Sequence, residues 1–172
     1  MFISLAGAGN GIFYGPQAND VMPAQVFLKY FAPLTPKEVY DYSNYTDADI
    51  TSGKLQLDMI KFEETKPEHQ SQLTRSPDKK VWVGYNTFFP KLNNLQEPAT
   101  KDIIAEQARR KNNFLKIKVA HYFASMFDET ISPWQSAING QYEDVGSFTQ
   151  LAAQYKDLKV WSMTETPEYK QD

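Results

Sequence analysis

The stretch that most constrains this chain is Phe114-Leu115-Lys116-Ile117-Lys118-Val119-Ala120-His121-Tyr122-Phe123, its densest apolar run and the place of one of its two histidines. With period two, Leu115, Ile117 and Val119 face one way and Lys116 and Lys118 the other, as in a half-buried strand whose lysine stems lie along the wet face. With period 3.6, Leu115, Val119, Tyr122 and Met126 form one stripe of a helix and Lys118, His121 and Ser125 the opposite one. The flanking residues favour the strand. Thr100 and Asp102 open a helix, Arg109-Arg110-Lys111 suit its last turn, and Asn112-Asn113 suits a left-handed stop. A helix over 101–111 and a strand over 114–123 are therefore expected, with Leu115, Ile117, Val119 and His121 inward.

Such a run needs a core to enter. The 172 residues, 41 % of them hydrophobic, fit one domain with a sizeable core. Eleven Phe, ten Tyr and three Trp are many for this length; aromatics favour strands and mark contact surfaces. The net charge of −3 and the lack of a long basic stripe argue against nucleic acid as a main partner. The absence of cysteine excludes disulfides, thiol catalysis and cysteine-ligated zinc, and leaves the compartment open.

Residues 1–25 read as a glycine-rich arm or signal remnant. Gly7-Ala8-Gly9-Asn10-Gly11 after Ile3-Ser4-Leu5 lacks the third glycine of a dinucleotide-binding turn, since position 12 is Ile12, and Gly15-Pro16 blocks the helix that should follow. Thr35-Pro36-Lys37-Glu38 is a capping box that starts a short helix through Tyr42. Alternation in Leu55-Gln56-Leu57-Asp58-Met59 and in Lys80-Val81-Trp82-Val83-Gly84-Tyr85 reads as two strands, with a long polar loop from Phe62 to Asp78 that holds His69. Short helices are expected over 133–139, stopped by Gly140, and from Val145 to Tyr155. A last strand spans 158–163. The fold class is α+β: one domain over 26–163, mainly antiparallel sheet with several short helices, and a polar tail over 164–172.

Motifs for chemistry are sparse. The two histidines lie far apart, so no zinc site and no other metal or cofactor is expected. Asp47-Ala48-Asp49 lacks the remaining ligands of a calcium loop and reads as a helix cap. There is no Gly-x-Ser-x-Gly elbow. His121, Ser125 and Asp128 would share a face only in a helix, so His121 is a weak catalytic candidate, and a structural histidine is the stronger reading. In the strand over 80–85, Trp82 would point outward, with Phe88 and Phe89 at the exit. Trp82, Tyr85, Phe88 and Phe89 are thus the candidate contact residues for another protein.

Leu5-Ala6-Gly7-Ala8 resembles the end of a bacterial lipoprotein export signal, with Ala8 where that signal has its lipid-accepting cysteine. The resemblance implies the periplasm or cell envelope, and a membrane role only through such an anchor. Together these features lead to a non-enzymatic binding protein, such as an inhibitor or assembly factor. Two alternatives stand beside it: a structural subunit of a phage or other assembly that uses its N-terminal arm, and a small hydrolase that uses His121.

Overall fold

The computed structural model describes residues 1–13, 15 and 16, 44–65, 75–128, 131 and 133–170. The expected helix over 36–42 and His69 lie outside them. The class is α+β in a single small domain, but the expected mainly antiparallel sheet is replaced by two separate strand pairs. β1 (Phe2–Leu5) and β2 (Ala120–Phe123) run parallel; β3 (Gln141–Tyr142) and β4 (Val160–Trp161) run antiparallel.

Between β1 and β2 lie five described helices: α1 (Asp47–Thr51), α2 (Lys54–Thr65), α3 (Lys79–Tyr85), α4 (Phe89–Leu92) and α5 (Lys101–Phe114). Two of them occupy stretches whose alternation suggests strands. In α2 the apolar positions continue past the alternating segment to Ile60 and Phe62. Helical spacing then places Leu55, Met59 and Phe62 on one side, and these pack with Ile50 and Tyr45. The turn before α2 is closed by Gly53, whose φ of +86° suits a residue without a side chain.

In α3 the deciding signal is the cap. The Asp78 carboxylate accepts from Val81 N–H at 3.4 Å, and Trp82 N–H donates to Asp78 C=O at 2.9 Å. The helix turns Trp82 into the interior, where it is 0 % exposed and lies under the Arg75 guanidinium at 4.6 Å from the ring centre. Asn86 ends α3, and its side-chain oxygen accepts from both Phe88 and Phe89 N–H at 3.0 Å, which launches α4.

The α5 start agrees with expectation: Thr100 accepts from Ile103 N–H at 3.2 Å and Asp102 sits in the first turn. The helix then runs through Asn112 and Asn113 to Phe114, because neither asparagine takes the left-handed conformation. No residue of α5 is buried. Polar bonds hold it to the segment before it, Arg110 to the Lys91 carbonyl and Gln107 to the Gln96 carbonyl, both at 2.7 Å.

The main core lies elsewhere. Phe13, Ile60, Tyr142, Val145, Leu151, Tyr155 and Leu158 bury one another. Phe13 meets the Tyr142 and Tyr155 rings edge-on, at 5.6 and 6.2 Å. Burial pushes the Tyr155 hydroxyl well above its usual range, and Tyr142 adds to this. Leu151 enters from α6 (Phe148–Gln154), which Ser147 caps by accepting from Gln150 N–H. The expected helix over 133–139 is a 3-10 turn, Trp134–Ile138, closed by Asn139 at φ 62° rather than by Gly140. The final strand is shortened to β4. A capped 3-10 turn, Met163–Glu165, leads from the domain into the polar tail, which carries a short helix α7 (Pro167–Lys170).

Candidate functional site

The run over 114–123 is not the central buried strand that its composition suggests. Phe114 belongs to α5, Leu115 caps it, and a turn with Lys116 N–H on Asn113 C=O and Ile117 N–H on Phe114 C=O leads towards β2. Only Ala120–Phe123 is strand, and Leu115, Val119 and His121 are exposed. The extended segment pairs with β1, which enters from the far end of the described chain. Phe2 N–H donates to Val119 C=O at 2.8 Å, and Ala6 N–H to Phe123 C=O at 2.9 Å. The register sets Ile3 beside His121 and Leu5 beside Phe123.

Side chains alternate across a strand, so Ile3, Leu5, Val119, His121 and Phe123 share one face. All five are exposed. The His121 and Phe123 rings are nearly parallel, with centres 6.3 Å apart. The opposite face carries Phe2, Ser4, Ala120 and Tyr122; Phe2 packs on the Tyr122 ring, and Ser4 and Tyr122 are half-buried. The strand phase is thus the one inferred for His121, among the aliphatics, but the face it lies on is open. A histidine on an accessible apolar face has a nitrogen lone pair available in its neutral form and apolar side chains beside it.

The row His121–Ser125–Asp128 does not form, because the segment is a strand followed by a turn. Ser125 accepts from Phe127 N–H at 3.2 Å, and the Asp128 carboxylate accepts from Ile131 N–H at 2.8 Å. Ser4, on the adjacent strand, belongs to the other face from His121.

The glycine-rich turn after β1 carries the chain from this face into the core. Asn93 donates to Gly9 C=O at 2.8 Å and to the Asn10 side-chain oxygen at 3.1 Å, and Asn10 donates to Gln141 at 3.3 Å. Beyond it, a recess of about 10 Å³ is lined by Phe13, Arg75, Ser136, Gln141 and Tyr142, among others. Arg75 there pairs with Asp144 at 3.0 Å, and Lys79 reaches the same carboxylate at 3.8 Å. The recess is far below the size of sites that enclose drug-sized ligands, and no histidine is among the described residues that line it. It reads as a structural junction around that ion pair, in which Arg75 N–H donates to Ile12 C=O at 2.8 Å and Gln141 of β3 donates to Asp144 at 3.5 Å.

The candidate contact residues fall apart as a group. Trp82 and Phe89 are buried, Tyr85 is half-buried, and only Phe88 is exposed, so helix α3 removes the expected exposed tryptophan. The Asp47–Asp49 pair is a helix start: Thr46 and Asp49 form a capping box, and the Thr46 hydroxyl, donating at 2.7 Å, holds the Asp49 carboxyl below its usual range. Among the described residues no group of three or more potential metal ligands occurs, and no helix is long and apolar enough to cross a membrane. Sequence reasoning missed the openness of the His121 face, since periodicity reports which residues share a face and not whether that face is covered.

The family model of palmitoyl protein thioesterase matches residues 1–172. No curated protein matches the chain, and no solved structure matches it either. Thioesterases are hydrolases, so the family match corrects the expectation of a non-enzymatic binding protein, inhibitor or assembly factor; the small-hydrolase alternative is the one it fits. The match spans the whole of the sequence, and the chain belongs to the palmitoyl protein thioesterase family.

Proposed function

We propose that this protein hydrolyses thioesters of long acyl chains, with His121 as general base. The observation that carries the reading is the family match over residues 1–172. The open face of Ile3, Leu5, Val119 and Phe123 around His121 supports it, because an acyl chain gains from apolar contact next to the reacting carbonyl.

The chemistry needs few groups. Water adds its oxygen to the thioester carbonyl carbon while the neutral His121 imidazole takes the proton. The carbon–sulfur bond then breaks, and the leaving thiolate recovers a proton from the imidazolium. The products are a carboxylic acid and a thiol. A thiolate is a stable leaving group at neutral pH, so one base can serve where amide hydrolysis would need a separate acid.

The test is thiol release from acyl-coenzyme A substrates of increasing chain length, read with a thiol-reactive dye. The expected result is turnover that rises with chain length as more methylenes meet the ribbon. Absence of turnover at every length would overturn the proposal.

A further inference from the structure

We infer that the β1–β2 ribbon and its two flanking turns form a docking surface for an anionic phospholipid membrane. A two-stranded parallel ribbon this open is unusual, since parallel sheets are normally covered on both faces. Here Leu5 is 73 % exposed and Phe123 53 %; beyond the ends of β2, Leu115 is 67 % and Phe127 79 % exposed. Contiguous exposure of large apolar side chains marks a contact surface.

The charge pattern selects the partner. Between Glu106 and Asp128 the chain has Arg109, Arg110, Lys111, Lys116 and Lys118 and no acidic residue, although the whole chain carries a net charge of −3. Arg109 and Arg110 share Glu106. Lys116 and Lys118 are exposed in the turn that leads into β2, next in sequence to the exposed Leu115 and Val119, and Lys116 donates to the Asn113 side chain at 2.9 Å. Apolar side chains flanked by lysines match the acyl boundary and the phosphate layer of an anionic leaflet. A second copy docked symmetrically would bring the two basic turns towards each other. Nucleic acid would leave Leu5, Leu115 and Met126 without apolar partners.

The inference extends the hydrolase reading, because docking would bring lipid-embedded thioesters to His121, but its test is separate. The full chain is co-sedimented with vesicles of phosphatidylcholine alone and of phosphatidylcholine mixed with phosphatidylglycerol, neither containing a thioester. The expected result is binding to the mixed vesicles that weakens with salt. It should fall at least about tenfold in the Lys116→Glu/Lys118→Glu variant, each lysine near such a surface being worth roughly fivefold. The Met126→Ser/Phe127→Ser variant should also bind less, and circular dichroism checks the fold of both. The pairs are read independently, so either one decides if the other misfolds. No binding to mixed vesicles would overturn the inference. So would binding that neither pair changes, or a dimer in light scattering that the Met126→Ser/Phe127→Ser pair dissociates. Loss of thioester turnover with vesicle binding intact would count against the hydrolase reading alone.

Discussion

Two residues show how local chemistry sets the limits of this fold. Gly53 holds a positive φ of +86°, and a Cβ there would fall onto the Tyr155 ring. Gly53→Ala should therefore cost roughly 1–3 kcal/mol, read as a lowered thermal midpoint. Glu106 illustrates a surface effect. The Arg109 guanidinium donates to both of its oxygens, and with Arg110 nearby this holds the carboxyl down to about 2. A carboxyl lowered in the folded state stabilises it above the unfolded value of about 4.5, and that contribution is lost as pH falls from there towards 2. Between pH 6 and pH 2 the parent protein should lose more stability than Glu106→Gln, in paired denaturation curves. Equal losses would show that the ion pair contributes nothing.

At the scale of elements, what was legible depended on whether the signal was local. The cap at Thr100 announces α5, because a hydroxyl and the backbone N–H three residues on are enough to start a helix, whereas α6 starts three residues later than the expected Val145, at the unread cap Ser147. The strands expected at 55–59 and 80–85 are helices, since alternation over five or six residues also fits one helical face once the next turn is counted. Asp78 before α3 was the overlooked signal. The β1–β2 pairing was beyond reach: nothing near Phe2 names a partner at Ala120, and such pairing is decided by the rest of the fold. The same gap explains why the 114–123 run was misjudged as core. Leu151, 0 % exposed, and Leu115, 67 % exposed, should behave oppositely. Leu151→Ala should cost about 2–5 kcal/mol and Leu115→Ala within about 0.5 kcal/mol, in denaturant titrations.

For the molecule as a whole, the core and the candidate site are separate bodies of structure. Phe13, Tyr142, Leu151 and Tyr155 hold the domain together, while the β1–β2 ribbon leaves its apolar face open. The turn from Gly7 to Gly11 joins the two and is fixed by Asn93, Asn10 and Gln141. This division keeps the residues that hold the domain together apart from the exposed face. The α+β class was readable from composition and the mixture of patterns. The hydrolase reading stood only as an alternative, because no catalytic motif surrounds His121 and the face it shares is made with a strand more than a hundred residues away. The most direct test is the rate of long-chain thioester hydrolysis by the parent protein and by His121→Ala, which alters an exposed side chain and should fold normally. A drop in kcat/KM of about 10²–10⁴-fold is predicted for loss of a general base; an unchanged rate in the variant would contradict the account.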